Sequence, residues 1–295
     1  MSVLKIKYFS GCQYRYRKSF YFHILTGFII LLSFFCSDAS AQGDLLITPR
    51  RVVFDGSKRS IDLNLANTGN DTSTYAISLI QIRMKEDGSF ETITEPDPGQ
   101  QFADTYIRFF PRSVTLGPKE AQVVKIQLFR AGQLKPGEYR SHIYFRAVPK
   151  ARPLGEQGPP VDSSTISVRL TPIFGITIPV IIRIGQSTTK VSLSDLNLDL
   201  SAPDKPMFSF VFNRTGNMSV YGDLAIDHIS QQGTVTRVGI ANGVAVYTPN
   251  SVRRFSLRLN RIIGVDFHSG KLRVTYSAPS DVKPEKFAEA ELILK

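Results

Sequence analysis

Beyond the first forty-one residues the histidines are His142, His228 and His268, and they stand far apart. None belongs to an H-x-x-x-H or H-E-x-x-H pair, the spacing that turns two imidazoles toward one metal. His142 falls in a run that reads as a strand, where a partly buried, hydrogen-bonded imidazole is the simple reading, and His268-Ser269-Gly270 reads as a turn. Asp195, Asp199 and Asp204 cluster, but Pro203 interrupts them and the ligand spacing of a calcium loop is missing, so they read as a polar turn. There is no G-x-S-x-G nucleophile elbow and no glycine loop to cradle phosphates. These residues call for no catalytic group, no metal and no cofactor, and an enzyme is not the expected class.

The elements that would position any other chemistry begin after a leader. Lys5, Lys7, Arg15, Arg17 and Lys18 precede an apolar run from Ile24 to Phe35, and Ala39-Ser40-Ala41 follows. A basic flank, a short apolar stretch and a small-x-small site are the pattern of a signal peptide cleaved after Ala41. The run is shorter than the ~20 residues of a spanning helix. Both cysteines, Cys12 and Cys36, lie in this leader, so the remainder can form neither a thiol site nor a disulfide. The chain carries a formal +11, and the part after the leader +7, because the leader holds five of the cations and Asp38. With no nucleic-acid motif, that charge points to acidic protein surfaces rather than nucleic acid.

The rest reads as all-β. Hydrophobic residues at 42% and aromatics at 11% are enough for sizeable cores. Ile61–Ala66 alternates cleanly, and Tyr75–Met84, Val123–Phe129 and Gly137–Val148 are further β-branched and aromatic runs between turn residues. The second half echoes the first. Thr68-Gly69-Asn70 recurs as Thr215-Gly216-Asn217, the run at Ile126-Gln127-Leu128 as Leu257-Arg258-Leu259, and Gly137-Glu138-Tyr139-Arg140 as Gly270-Lys271-Leu272-Arg273. The common order predicts two similarly wound sandwiches. Pro149–Asp162, rich in Pro and Gly, reads either as an interdomain linker or as a long mobile loop within the first domain.

From Ile166 to Ile184 every even position is apolar or Pro. At ~3.3 Å per residue these nineteen residues would reach about 60 Å, more than one sandwich can use. Pro172 argues for an edge position or a bulge. An edge strand with a continuous apolar row can serve as a template for another chain, with Ile166, Val168 and Leu170 as side chains offered to a guest. Periodicity alone favours an ordinary buried strand whose even row belongs to the protein's own core.

Four stretches carry a resemblance. Arg51-Val52-Val53-Phe54-Asp55-Gly56, Leu63–Asn70 (LNLANTGN), Phe109–Ile126 (FFPRSVTLGPKEAQVVKI) and the aromatic run Tyr144–Pro149 resemble, in order and spacing, the periplasmic chaperones of the chaperone–usher pilus pathway. The likeness covers about Thr48 to Pro179. It implies two immunoglobulin-like sandwiches at an angle with a subunit-binding cleft between them. The domains would be residues 42–184, with a mobile loop at 149–164 and a long final strand at 165–184, and residues 185–295. It further implies that Ile166, Val168 and Leu170 form the donor row completing a guest's sandwich, and that Arg51 contacts the guest's C-terminal carboxylate, a task that suits a guanidinium. The family's second basic anchor has no match, since Ile173, Phe174 and Gly175 occupy that region. Its basic residue before the strand's closing Pro is replaced by Ile178.

The expectation is a periplasmic chaperone for pilus or other surface subunits, working without nucleotide. An outer-membrane usher and weak self-association are admitted as further partners, and nucleic acid is not. A structural or adhesive immunoglobulin-like envelope module stands as the alternative.

Overall fold

The computed structural model describes residues 45–149, 173–202, 204–280 and 282–294. The expected leader, the loop 150–164 and the row Ile166, Val168 and Leu170 lie outside the described residues. Ten strands come first: β1 (Leu45–Thr48), β2 (Val52–Phe54), β3 (Ser60–Asn67), β4 (Ser73–Met84), β5 (Phe90–Ile93), β6 (Ile107–Phe110), β7 (Ser113–Leu116), β8 (Ala121–Leu128), β9 (Gly137–Val148) and β10 (Gly175–Ile184). Seven follow: β11 (Lys190–Asp199), β12 (Met207–Thr215), β13 (Val220–Ile229), β14 (Val235–Val246), β15 (Val252–Arg258), β16 (Lys271–Ser277) and β17 (Lys286–Ile293). The only helical pieces among the described residues are single 3-10 turns at Asp104–Tyr106 and Ala131–Gln133.

These strands form two sandwiches, the expected all-β, immunoglobulin-like class. The first packs a sheet ordered β1-β3-β8-β6 against one ordered β2-β10-β9-β4-β5, with β7 also on β4. The second packs β11-β12-β15 against β14-β13-β16-β17. The period-2 alternation drives this. In β3, Leu63 and Leu65 are buried while Asp62 and Asn64 face water. In β9 the odd side chains Ile143 and Phe145 enter the first core with Phe54, Leu63 and Ile126. The second core centres on Phe208, Phe210, Phe212 and Tyr276, whose rings meet edge-on or tilted.

The internal echo is topological. β3 pairs with β8, and the facing sheet runs β4-β9-β10; in the second sandwich β12 pairs with β15, and the facing sheet contains β13-β16-β17. Each sequence echo falls on equivalent strands or turns. The paired T-G-N turns leave β3 and β12. Gly216 holds φ +87°, and a Cβ there would sit 2.5 Å from the Thr188 carbonyl oxygen, so glycine is required.

The long alternating segment is divided. β10 begins at Gly175. From there its even side chains Ile178, Val180 and Ile182 are sealed in the first sandwich's own core, with Ile176 partly covered, whereas Phe174 before the strand is exposed. Beyond Gly175, then, the even row is core.

Candidate functional site

β10 is bordered unequally. β9 lies antiparallel beside it over Gly175–Ile184, but β2 reaches it, in parallel, only over Val180–Ile182. Gly175 to Pro179 therefore has no strand on one side among the described residues. The ladder's phase says which peptide groups are free. The Ala147 N–H donates to the Phe174 carbonyl at 2.9 Å, which puts even positions in hydrogen-bonded pairs with β9. The peptide groups of Gly175, Thr177 and Pro179 point to the open side. Pro179 costs the ladder nothing, since its missing N–H would face outward.

The open edge runs into a cleft between the sandwiches. Its floor is the outer face of β10 and β9, with Thr177, Pro179, His142 and Arg51; its far wall is Tyr221, Gly243, Ala245, Tyr247 and Arg253 from the second sandwich. The cavity holds about 280 Å³, and no Asp or Glu among the described residues lines it. Met84 and Ile181 pack on Ala245 and Tyr247 at its base, with Val53 and Tyr221 alongside.

Arg50, Arg51 and Arg253 line this cavity, and Arg140 lies against Tyr247 beside it. Arg51, just ahead of β2, lies 4.4 Å over the Tyr221 ring and 5.9 Å from that of Tyr247. Arg140 of β9 lies 4.2 Å from the centre of the Tyr247 ring. Arg253 of β15 donates to the Ala245 carbonyl. Burial depresses the pKa of Arg51 and of Arg140, and their mutual repulsion depresses Arg140 further. Burial likewise depresses Arg253. Burial, then repulsion from Arg140, pushes the His142 imidazole down to about 3, so it is neutral near pH 7. Its Nδ1 is buried without a partner among the described residues, unlike the hydrogen-bonded imidazole expected from sequence.

The hairpin between β4 and β5 closes one end. The Arg254 N–H donates to the Glu86 carbonyl at 2.6 Å, and Asn250 Nδ2 donates to the Met84 carbonyl at 2.7 Å. Gly88, at φ +82°, lets Arg253 pass: a Cβ there would meet Nη2 at 2.6 Å.

A buried carboxylate joins the two sandwiches behind the cleft. Glu138, with no exposed side-chain surface, accepts from Arg183 Nε at 3.1 Å, from the Ser219 N–H at 3.0 Å, from Ser219 Oγ at 2.7 Å and from Thr248 Oγ1 at 3.3 Å. Arg183 also donates to the Ser219 carbonyl at 2.7 Å. The cation of this junction is Arg183, near the end of β10.

Of the site residues expected from sequence, Arg51 lies in the cleft, and Ile166, Val168 and Leu170 lie outside the described residues. Sequence reasoning missed Arg140, Arg253, Tyr221 and Tyr247. On β9 the even residues Arg140, His142, Tyr144 and Arg146 make a polar face, which reads as a solvated surface until a second domain covers it. No sequence signal marks that cover.

The architecture is that of a two-sandwich protein with a basic cleft and an open strand edge leading into it. Among solved structures it is similar to chaperones of the chaperone–usher pathway. The YadV chaperone matches at 14% identity and a TM-score of 0.43, over 85% of this chain and 100% of that one. The fimbrial chaperone CfaA matches at 14% and 0.38, over 85% and 99%. The chaperone–tip adhesion subunit pre-assembly complex CsuC–CsuE of the archaic Csu pili of Acinetobacter baumannii matches at 12% and 0.44, over 84% and 98%. No protein-family model and no curated protein matches the chain. What the cleft does is read from its own residues.

Proposed function

We propose that the protein is a periplasmic chaperone that holds pilus-type or related surface subunits by lending them a strand. The observation that carries this is the edge of β10 at Gly175–Pro179, which has no neighbouring strand among the described residues and leads into the cleft beside Arg51. A guest strand laid on that edge would bond to the free peptide groups of Gly175 and Thr177. Its end would arrive at the guanidiniums, where Arg51 meets the C-terminal carboxylate. Ile166, Val168 and Leu170, ahead of the described strand, would fill the guest's open core, each contributing roughly 1.5–3 kcal/mol if fully buried. Ordering both chains offsets part of this gain. The guest's own folding supplies the drive, so no nucleotide or cofactor is needed.

The test is periplasmic expression followed by intact-mass measurement of the soluble complex. A one-to-one complex with a small β-rich subunit is expected, and deletion of the chaperone should leave that subunit degraded. Val168→Asp should abolish capture while the fold survives. A protein that stays in the envelope with no soluble partner would instead be a structural or adhesive module. Unfolding of the Val168→Asp variant would assign the row to the protein's own core.

A further inference from the structure

The sheet β1-β3-β8-β6 turns its inner face to the sheet that contains β10, so its outer face looks away from the cleft. Cross-strand partners put Asp62, Lys125 and Phe110 in one row of that outer face, and Ser60, Gln127 and Arg108 in the next. β6 is the edge of the sheet, paired only with β8 among the described residues. Its outward side chains are Arg108 and Phe110, and Phe110 is 76% exposed. Leu46 and Val123 add exposed apolar surface on β1 and β8. A cation on an edge strand serves first to keep other chains from pairing with it. That role accounts for Arg108, but not for the way the neighbouring guanidiniums are held.

Arg108 lies 3.9 Å over the Phe129 ring, Arg130 lies 4.7 Å from the centre of the same ring, and Arg112 lies 4.3 Å over Phe109. None of the three guanidiniums makes a hydrogen bond or an ion pair among the described residues. Stacking on a ring fixes the plane of a guanidinium and leaves its N–H edge in water. Arg59 stands alongside, exposed, because its carbonyl accepts the Leu128 N–H at 2.9 Å at the end of β8. Asp62 is the one acid among the outward side chains of the four strands, and it is matched by Lys125 at 3.6 Å. The face therefore carries oriented, unmet N–H forks around a projecting aromatic ring.

We propose that this face docks on a phospholipid bilayer with anionic headgroups. Arg108, Arg112 and Arg130 would meet lipid phosphates, whose oxygens suit the guanidinium fork, while Phe110 enters the headgroup region. A free phosphate ion could take the arginines but would leave Phe110 in water. An acidic protein would offer carboxylates, but a specific protein interface seats its anchors in pockets, and here the anchor projects from a pleated sheet. The β10 edge lies in the opposite sheet, so docking leaves it accessible, and the inference does not rest on the strand-lending reading.

Flotation of the protein, purified from the periplasm, with vesicles of phosphatidylcholine alone or mixed with phosphatidylglycerol tests it. Partition onto the mixed vesicles should exceed that onto phosphatidylcholine by at least about tenfold, and should weaken as salt is added. Arg108→Gln and Arg130→Gln should each lower it roughly fivefold, the worth of one cation near such a surface. Phe110→Ser should lower it about tenfold without changing its salt dependence. All three side chains are exposed, so each variant should keep close to the parent's Tm. Equal partition onto both vesicles overturns the proposal, as does a preference that survives the combined Arg108→Gln and Arg130→Gln variant. Binding that Phe110→Ser leaves unchanged would make the face a general attractant for polyanions, acidic proteins among them, and overturns the docking. Displacement by inorganic phosphate beyond that by chloride at equal ionic strength would assign the arginines to free phosphate, and also overturns it.

Discussion

His142 lies on β9 two residues beyond Arg140, with Phe90 packed near it at 6.4 Å between ring centres. Burial and that neighbouring cation hold its pKa at about 3, against about 6.5 for an unfolded histidine. Between those values the unfolded chain takes up a proton that the folded chain refuses. Stability from this residue is therefore fully present above about pH 6.5 and is lost as pH falls toward 3, at up to ~1.4 kcal/mol per pH unit. His142→Asn removes the contribution, so its Tm should fall less steeply than the parent's as pH drops from about 7.5 to 4.5. Parallel curves would mean that the imidazole protonates in the folded protein. Among the described residues no carboxylate lines the cavity to compensate a protonated His142.

The open stretch of β10 admits its own test. Thr177 shares the outward phase of Pro179, so Thr177→Pro removes a donor from the free edge and none from the ladder to β9. Tm should drop by no more than a few degrees, roughly a 1 kcal/mol effect, while affinity for a short edge-pairing peptide of alternating Val and Thr should fall about tenfold, the worth of one backbone bond and its register. Unchanged affinity would place the guest elsewhere. Much at this scale is legible in the sequence. Gly137–Val148 is β9 to the residue, and Ile61–Ala66 is β3 less one residue at each end. Alternation is a local property, and local chemistry fixes it. What the pattern does not contain is the partner. The even row of Ile178, Val180 and Ile182 looks identical whether its own sandwich or a guest covers it, and the three-residue reach of β2, which opens the edge, leaves no mark in β10 itself. The cleft was legible only at Arg51, because Arg140 and Arg253 sit on faces that read as solvated strands until the second sandwich closes over them.

At the scale of the whole molecule, the two sandwiches repeat one wiring, and the site exists only where they meet. Each sandwich alone would leave Arg51 and Arg140, or Arg253 and Tyr247, on an open surface where water would satisfy them. Holding them together falls to Glu138, which gathers Arg183 from the end of β10 with Ser219 and Thr248 of the second sandwich. Removing one member of a buried ion pair leaves the other unpaired and costs about 3–5 kcal/mol. Glu138→Ala should therefore lower Tm and also separate the sandwiches energetically, since the lost contacts cross the junction rather than either core. The parent protein should unfold in a single calorimetric transition, and the variant in two. A single transition at a slightly lower Tm would shift the coupling to the hairpin contacts of Glu86 with Arg254 and of Met84 with Asn250.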